Sequence, residues 1–183
     1  MIYKLRCGDV YPDSYWFHFK SEEISRVDLI ECQEIYLKKP LIFTLNKKIS
    51  KKRLLSYDYY LSDGPGFISP RLVALLENNE GFLKEVQLLD ATVIINGQNH
   101  YGFKVFNPLH FLSCIDIDKS ESQCLLAGTP NEIRIFNNIV FRQDITEDFW
   151  MARCLEDEVC IVISDKLRQL FIDNHIKGLN LED

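Results

Sequence analysis

The chain has 183 residues, of which 46% are hydrophobic and 26% are charged. This length suits one compact domain, and this composition excludes an intrinsically disordered chain. The formal net charge of -6 argues against a surface built throughout for nucleic acid, because such binding depends on many Lys and Arg contacts with phosphate. We therefore expect a single folded domain over residues 1–183 with an acidic surface.

The pattern of cysteines and apolar residues points to the cytoplasm. Six cysteines are spread along the chain without a C-x-x-C pair, which indicates reduced thiols. No apolar run approaches the roughly 20 residues that span a bilayer. The N-terminus also lacks the basic and then apolar order of a secretory signal. We expect a cytoplasmic protein with no membrane partner.

The first predicted elements are short. Met1 to Cys7 alternates apolar and polar residues, which is typical of a half-buried strand. Tyr15 to Phe19 predicts a short aromatic strand or a buried loop anchor. Ser21 is placed to cap a brief helical turn that ends at Arg26.

A basic segment follows. Residues 38–53 contain seven of the 21 basic residues of the chain and no acidic residue. We expect a solvated loop and an edge strand whose lysines discourage pairing with other sheets. A small contact site for an anion is the alternative, although the segment lacks the regularly spaced aromatic residues that single-stranded nucleic acid favours.

A tyrosine cluster comes next, and it leads into a turn at residues 64–66. Tyrosines are enriched at protein interfaces, yet a buried tyrosine with a satisfied hydroxyl is equally common. Both interpretations stay open. As candidates for partner binding we retain Tyr57, Tyr59 and Tyr60.

The centre of the chain carries the clearest structural signals. Ser69 and Pro70 predict the start of a helix with Leu72, Leu75 and Leu76 on one face, ending near residues 78–81. Residues 85–95 then predict a long strand, and Asn96-Gly97 predicts a hairpin turn. The partner strand is expected over residues 100–106. On one face of it we place Tyr101, Phe103 and Val105.

The C-terminal part repeats the design of the central helix. Ser164 predicts a second helix cap, followed by Leu167, Leu170 and Phe171 at the same offsets. This similarity is an echo of duplication or the ordinary likeness of two amphipathic helices. Strands are predicted at residues 133–136, 139–142 and 159–163, after a break at residues 128–131. The fold class is therefore α+β, with a mixed, largely antiparallel sheet and a few short packed helices.

One motif suggests catalysis. An apolar run ends in Asp116 and Asp118, and two carboxylates at alternate positions are how haloacid-dehalogenase-type phosphotransferases present a nucleophile and a Mg²⁺ site. Such an enzyme needs a doubly wound sheet after the motif, and only about a third of the chain remains. The segment also fails as an EF-hand, since Glu121 stands where glycine is needed. A polar turn is the structural alternative, and a metal-dependent phosphotransferase or hydrolase stays the alternative function.

No other catalytic or cofactor motif is present in the sequence. The four histidines show no zinc-ligand spacing, no serine lies in G-x-S-x-G, and Gly64-Pro-Gly lacks the residues of a phosphate loop. We predict neither a cofactor nor a metal.

The C-terminal third is acidic, with 14 acidic and seven basic residues from residue 116 to residue 183. Such runs are usually solvated, but complementary charge can also speed the capture of a basic protein. The candidate contact residues here are Asp144, Glu147, Asp148, Glu156, Asp157 and Glu158.

Several short pieces, taken in order, resemble the MXAN-type immunity proteins of bacterial polymorphic toxin systems. These pieces are Ile2-Tyr-Lys-Leu, Ile68-Ser-Pro-Arg-Leu, the paired strands, residues 116–120, Ile139-Val-Phe-Arg, and the stretch from Val162-Ile-Ser-Asp-Lys-Leu to Ile176-Lys-Gly-Leu. The resemblance divides the domain into a variable part, residues 1–63, and a family-like core, residues 64–183.

The resemblance implies a cytoplasmic, non-enzymatic protein that binds and neutralises a cognate toxin domain encoded nearby. It brings no catalytic residues, and variation before Gly64 would fit partner-specific contacts. Nucleic acid is not an expected partner. The sequence leaves the identity of the toxin and the oligomeric state open.

Overall fold

The computed structural model describes residues 1–125 and 134–181, and these form an α+β fold. The helices are α1 (Lys51–Leu54), α2 (Pro70–Glu77), α3 (Glu80–Leu83) and α4 (Asp165–Asp173), with a 3-10 turn at Asp28–Ile30. The strands are β1 (Ile2–Lys4), β2 (Trp16–Lys20), β3 (Leu41–Leu45), β4 (Tyr59–Ser62), β5 (Phe67–Ile68), β6 (Val86–Ile95), β7 (Gln98–Pro108), β8 (Phe111–Leu112), β9 (Glu121–Cys124), β10 (Arg134–Asn138), β11 (Met151–Cys154) and β12 (Ile161–Ser164).

Six strands close into a barrel in the order β2-β3-β6-β7-β5-β4. The β2–β4 and β3–β6 pairs are parallel, and the other pairs in the barrel are antiparallel. Aromatic rings fill its interior: Phe67 lies 4.3 Å from Phe43 and 4.7 Å from Tyr60, measured between ring centroids. Large rings supply the apolar area that the interior of a small barrel requires.

The strand in the basic segment is central, so the prediction of an edge strand there is wrong. β3 pairs with β2 on one side and with β6 on the other. Its inward residues Leu41, Phe43 and Leu45 are buried. Closure of the barrel removes the free edge that the lysines were expected to protect.

The predicted hairpin is confirmed. β6 pairs antiparallel with β7, and Asn96 and Gly97 have φ angles of 52° and 75°, as a type I′ turn requires. The pairing slips by one residue between Ala91 and Val93, where Gly102 has a φ of 86°. This bulge turns Tyr101 outwards, so the prediction that Tyr101 shares a face with Phe103 is wrong.

A second layer packs against the barrel. Its sheet has the strand order β1-β12-β11-β8, with α2 and α4 packed beside it, and β9 and β10 form a separate hairpin. Both predicted helix caps are confirmed: the Ser69 Oγ accepts the Leu72 N–H at 3.1 Å, and the Ser164 Oγ accepts the Leu167 N–H at 3.4 Å. Leu72, Leu76 and Leu167 are fully buried between the layers.

Three local predictions need correction. Ser21 accepts the N–H groups of Glu23 and Ile24 at 3.2 Å, but this is a serine turn, and no helix forms over residues 21–26. In place of a strand over residues 139–142, Phe141 makes a single bridge to Ile115. The strand predicted over residues 159–163 starts later than expected. β12 begins at Ile161, and Val159 is 75% exposed in the preceding turn. The predicted break at residues 128–131 lies outside the described residues.

None of the helices in residues 1–125 and 134–181 has both the length and the apolar character to cross a membrane.

Candidate partner-binding surface

The tyrosine candidates lie inside the molecule. Tyr59 and Tyr60 are 8% and 0% exposed, so the prediction that they contact a partner is wrong. Burial raises the pKa of Tyr59 to about 12. The Tyr60 hydroxyl lies 2.7 Å from the Leu54 carbonyl oxygen, which satisfies it without water. Tyr57 is half-buried, with its ring centroid 5.3 Å from that of Tyr11.

Part of the acidic cluster gathers around a groove. A cavity of about 1130 Å³ lies between β1, the start of α4 and the segment 136–149, and its lining includes Glu147 and Asp148. Apolar side chains form part of the wall, among them Phe136, Ile139 and Phe149. A concave apolar surface with charged residues at its rim is typical of binding sites. We call it the rim groove.

Two acidic groups at or beside the rim are held by exposed ion pairs. Asp148 Oδ1 lies 2.6 Å from Lys166 Nζ, and the Asp148 side chain is 87% exposed. Asp144, beside the groove, pairs with Arg142 at 2.8 Å and is 70% exposed. This guanidinium lowers the pKa of the Asp144 carboxyl. Exposed pairs contribute only about 0–1 kcal/mol, so these carboxylates can exchange partners at little cost.

Asp165 adds a third carboxylate to the groove lining, next to Lys166 at the start of α4. Its Oδ1 accepts the Tyr3 hydroxyl at 3.1 Å. Sequence reasoning missed this residue because it stands alone among neutral and basic neighbours. The helix N-terminus favours a negative charge at this position.

The remaining acidic candidates lie at the other end of β11. Asp157 and Glu158 belong to the turn between β11 and β12, ten and eleven residues after Glu147 in the sequence. Glu156 is already occupied: it accepts the Ser113 hydroxyl at 2.6 Å and the N–H groups of Cys114 and Ile115 at 3.3 Å. Glu156 therefore stabilises the chain after β8, and its contact with a partner stays a prediction.

Asp116 and Asp118 lie in the polar turn that was the structural alternative. Asp116 Oδ1 accepts the Lys119 N–H at 3.2 Å, and Oδ2 lies 2.6 Å from Lys119 Nζ. This ammonium lowers the pKa of the Asp116 carboxyl. Asp118 is exposed. Across the described ranges, no three His, Cys, Asp or Glu side chains are arranged to hold a metal ion.

Residues 47–53 of the basic segment, which follow β3 and include most of α1, form a basic surface at one end of the barrel that we call the basic ledge. Ile49 and Leu54 are buried and anchor it, and the Asn96 Nδ2 donates to the Ile49 carbonyl at 2.6 Å. The cations themselves point into solvent. The exposed residues of the ledge are Lys47, Lys48, Lys51, Lys52 and Arg53. Residues 47–53 thus present positive charge without an acidic residue of their own.

Two buried charged residues were missed by sequence reasoning. Asp58 is 3% exposed and accepts the Ser69 hydroxyl at 2.8 Å, the Arg71 Nε at 3.0 Å and the Lys177 N–H at 2.9 Å. Arg153 is 4% exposed and donates to the carbonyl oxygens of Leu29 and Glu158. Burial lowers the pKa of Arg153. Both residues connect elements distant in sequence, so no local pattern marks them.

Comparison with protein-family models gives no match, and comparison with curated proteins gives none either. The resemblance to MXAN-type immunity proteins therefore stays a prediction.

Proposed function

We propose that this chain is a cytoplasmic, non-enzymatic immunity protein that binds and neutralises a toxin domain. The observation that carries the proposal is the rim groove, a partly apolar cavity bordered by charges of both signs. Its acidic residues are Glu147, Asp148 and Asp165, and its basic residues are Lys4, Arg6, Arg142 and Lys166. Its walls offer area for burial, and its rim offers charge for recognition of a basic partner. The ordered sequence resemblance supports the same conclusion.

Glu147 is the carboxylate of the rim most available to a partner, since it is exposed and makes no ion pair or side-chain hydrogen bond within the described residues. Asp148 and Asp165 stand beside it with weak, exposed contacts. A basic side chain of the toxin would replace Lys166 or the Tyr3 hydroxyl without leaving a buried charge. A charge left buried without a partner would oppose binding, because the cost of removing it from water is not compensated.

The experiment is co-expression with candidate toxin domains encoded beside this gene. We expect growth to be protected from one of them, and we expect the double variant Glu147→Lys, Asp148→Lys to weaken the protection. The matched control is Asp9→Lys, Asp13→Lys, which makes the same change in net charge at exposed positions outside the groove. Loss of protection in both variants to the same degree would refute the assignment to the groove.

A further inference from the structure

Three thiols meet beneath the turn between β11 and β12. Cys114 follows β8, Cys154 ends β11, and Cys160 precedes β12. They are 0%, 0% and 3% exposed. The Cys114 and Cys154 sulfur atoms are 3.3 Å apart, although the two residues are 40 positions apart in the sequence.

The backbone holds these two sulfur atoms close together. β8 and β11 are parallel neighbours, and Cys154 pairs with Leu112, two residues before Cys114. Glu156 fixes the intervening chain by accepting the N–H groups of Cys114 and Ile115. A disulfide has an S–S length of about 2.05 Å, so the sulfur atoms would close by little more than about 1 Å.

The short distance between two sulfur atoms, and not their thiolate content, distinguishes the Cys114–Cys154 pair, because hydrogen bonds with Cys114 and Cys160 and burial raise the pKa of Cys154 as well. Burial raises the pKa of Cys7 and of Cys32 to about 11, which leaves little thiolate at neutral pH. Within the cluster, the hydrogen bond from Cys154 lowers the pKa of Cys160. Cys124 is exposed and lies apart from the cluster, on β9.

We propose that Cys114 and Cys154 form an oxidation site that a hydroperoxide converts into a disulfide. One sulfur attacks the peroxide, the O–O bond breaks, and a sulfenic acid forms with release of water or an alcohol. The second sulfur then attacks the sulfenic sulfur, the S–O bond breaks, and water leaves. Two thiols lose two electrons and two protons, and the peroxide is reduced by the same two electrons.

The test uses the full chain with Cys124→Ser, which removes the exposed thiol. The folded protein is treated with hydrogen peroxide, remaining thiols are alkylated, and intact mass and peptide mapping follow. We expect a mass loss of two hydrogen atoms, one crosslinked peptide that joins Cys114 to Cys154, and full reversal by dithiothreitol. A disulfide between any other pair, or no disulfide without denaturant, would overturn the proposal.

The matched variants are Cys154→Ala and Cys114→Ala in the same background. Each is first checked for folding by circular dichroism, and each is expected to lose the crosslinked peptide. If an alanine variant does not fold, the peptide map of the Cys124→Ser protein decides the question alone. None of these readouts depends on toxin binding, so failure here leaves the proposed function untouched.

Discussion

Asp58 joins parts of the chain that lie far apart in the sequence. It accepts hydrogen bonds from the cap of α2, from Arg71 and from the backbone of Lys177. Asp58→Ala removes these acceptors and leaves buried donors unpaired. We expect the free energy of unfolding to fall by about 3 kcal/mol, because hydrogen bonds to charged groups contribute about 1.5–3 kcal/mol each and are not additive.

Urea unfolding measures this loss, with Asp13→Ala as the control because Asp13 is exposed and makes no side-chain contact among the described residues. The control is expected to change stability by less than about 0.5 kcal/mol. Equal effects of the two substitutions would contradict the role of Asp58.

The Asp63 carboxyl makes the stability of the folded protein depend on pH. The Phe19 N–H donates to its Oδ1 at 2.8 Å, and this hydrogen bond, with smaller contributions from His18 and Arg26, lowers the pKa of Asp63 in the folded protein. A lowered folded pKa means that the stabilisation is present above the unfolded pKa and is lost as pH falls through the folded value.

The comparison is between wild type and Asp63→Asn, unfolded by urea at pH 6 and again below the usual range for aspartate. We expect the difference in unfolding free energy to be largest at pH 6 and to shrink in acid. A difference that grew in acid would contradict the direction of the pKa shift. The effect should be small, since the side chain is 35% exposed.

At the scale of elements, the bulge in β7 sets which side chains reach the barrel interior. Gly102 has a φ of 86°, and a Cβ there would lie 3.3 Å from Pro70. We expect Gly102→Ala to cost about 2 kcal/mol, because the left-handed backbone costs an ordinary residue about 1–2 kcal/mol before any contact is counted.

Gly97→Ala is the matched control for this substitution. Gly97 also has a positive φ, but a Cβ there would meet no atom within 4 Å. The control therefore measures the backbone cost alone, about 1 kcal/mol. Thermal or urea unfolding of the two variants gives the comparison, and a larger loss in Gly97→Ala would contradict the account.

The elements that sequence predicted well carry their signals locally. Ser69-Pro70, Asn96-Gly97 and Ser164 each mark a boundary through their own hydrogen bonds or φ angles, and all three appear as expected. Closure of the barrel is different. It depends on parallel pairing of Leu41 with Ala91, fifty residues apart in sequence, for which no local residue pattern exists.

The candidate site shows the same division between local and non-local information. The acidic residues were visible in the sequence, but their distribution over the two ends of β11 was not. Tyr60 is buried because it lies on the face of β4 that points into the barrel. Closure of the barrel determines which face that is. The contact between Cys114 and Cys154 likewise requires the β8–β11 pairing.

At the scale of the whole molecule, the formal net charge is -6, although residues 47–53 carry five basic residues and no acidic one. If the rim groove binds a basic toxin, association should slow as salt increases, because the screening length falls from about 10 Å at 0.1 M to about 3 Å at 1 M. Stopped-flow association over a salt series checks this. An association rate that rose with salt would show that the net charges repel.

The central claim is that the rim groove binds a toxin domain. The most direct measurement is calorimetric titration of a purified, catalytically inactivated toxin domain from the gene neighbourhood. It is titrated with three proteins: wild type, the groove double variant Glu147→Lys, Asp148→Lys, and the control double variant Asp9→Lys, Asp13→Lys. We predict tight one-to-one binding by wild type and by the control, with at least tenfold weaker binding, about 1.4 kcal/mol, by the groove variant. Absence of binding by folded wild type to every neighbouring toxin domain, or unchanged affinity in the groove variant, would contradict the account.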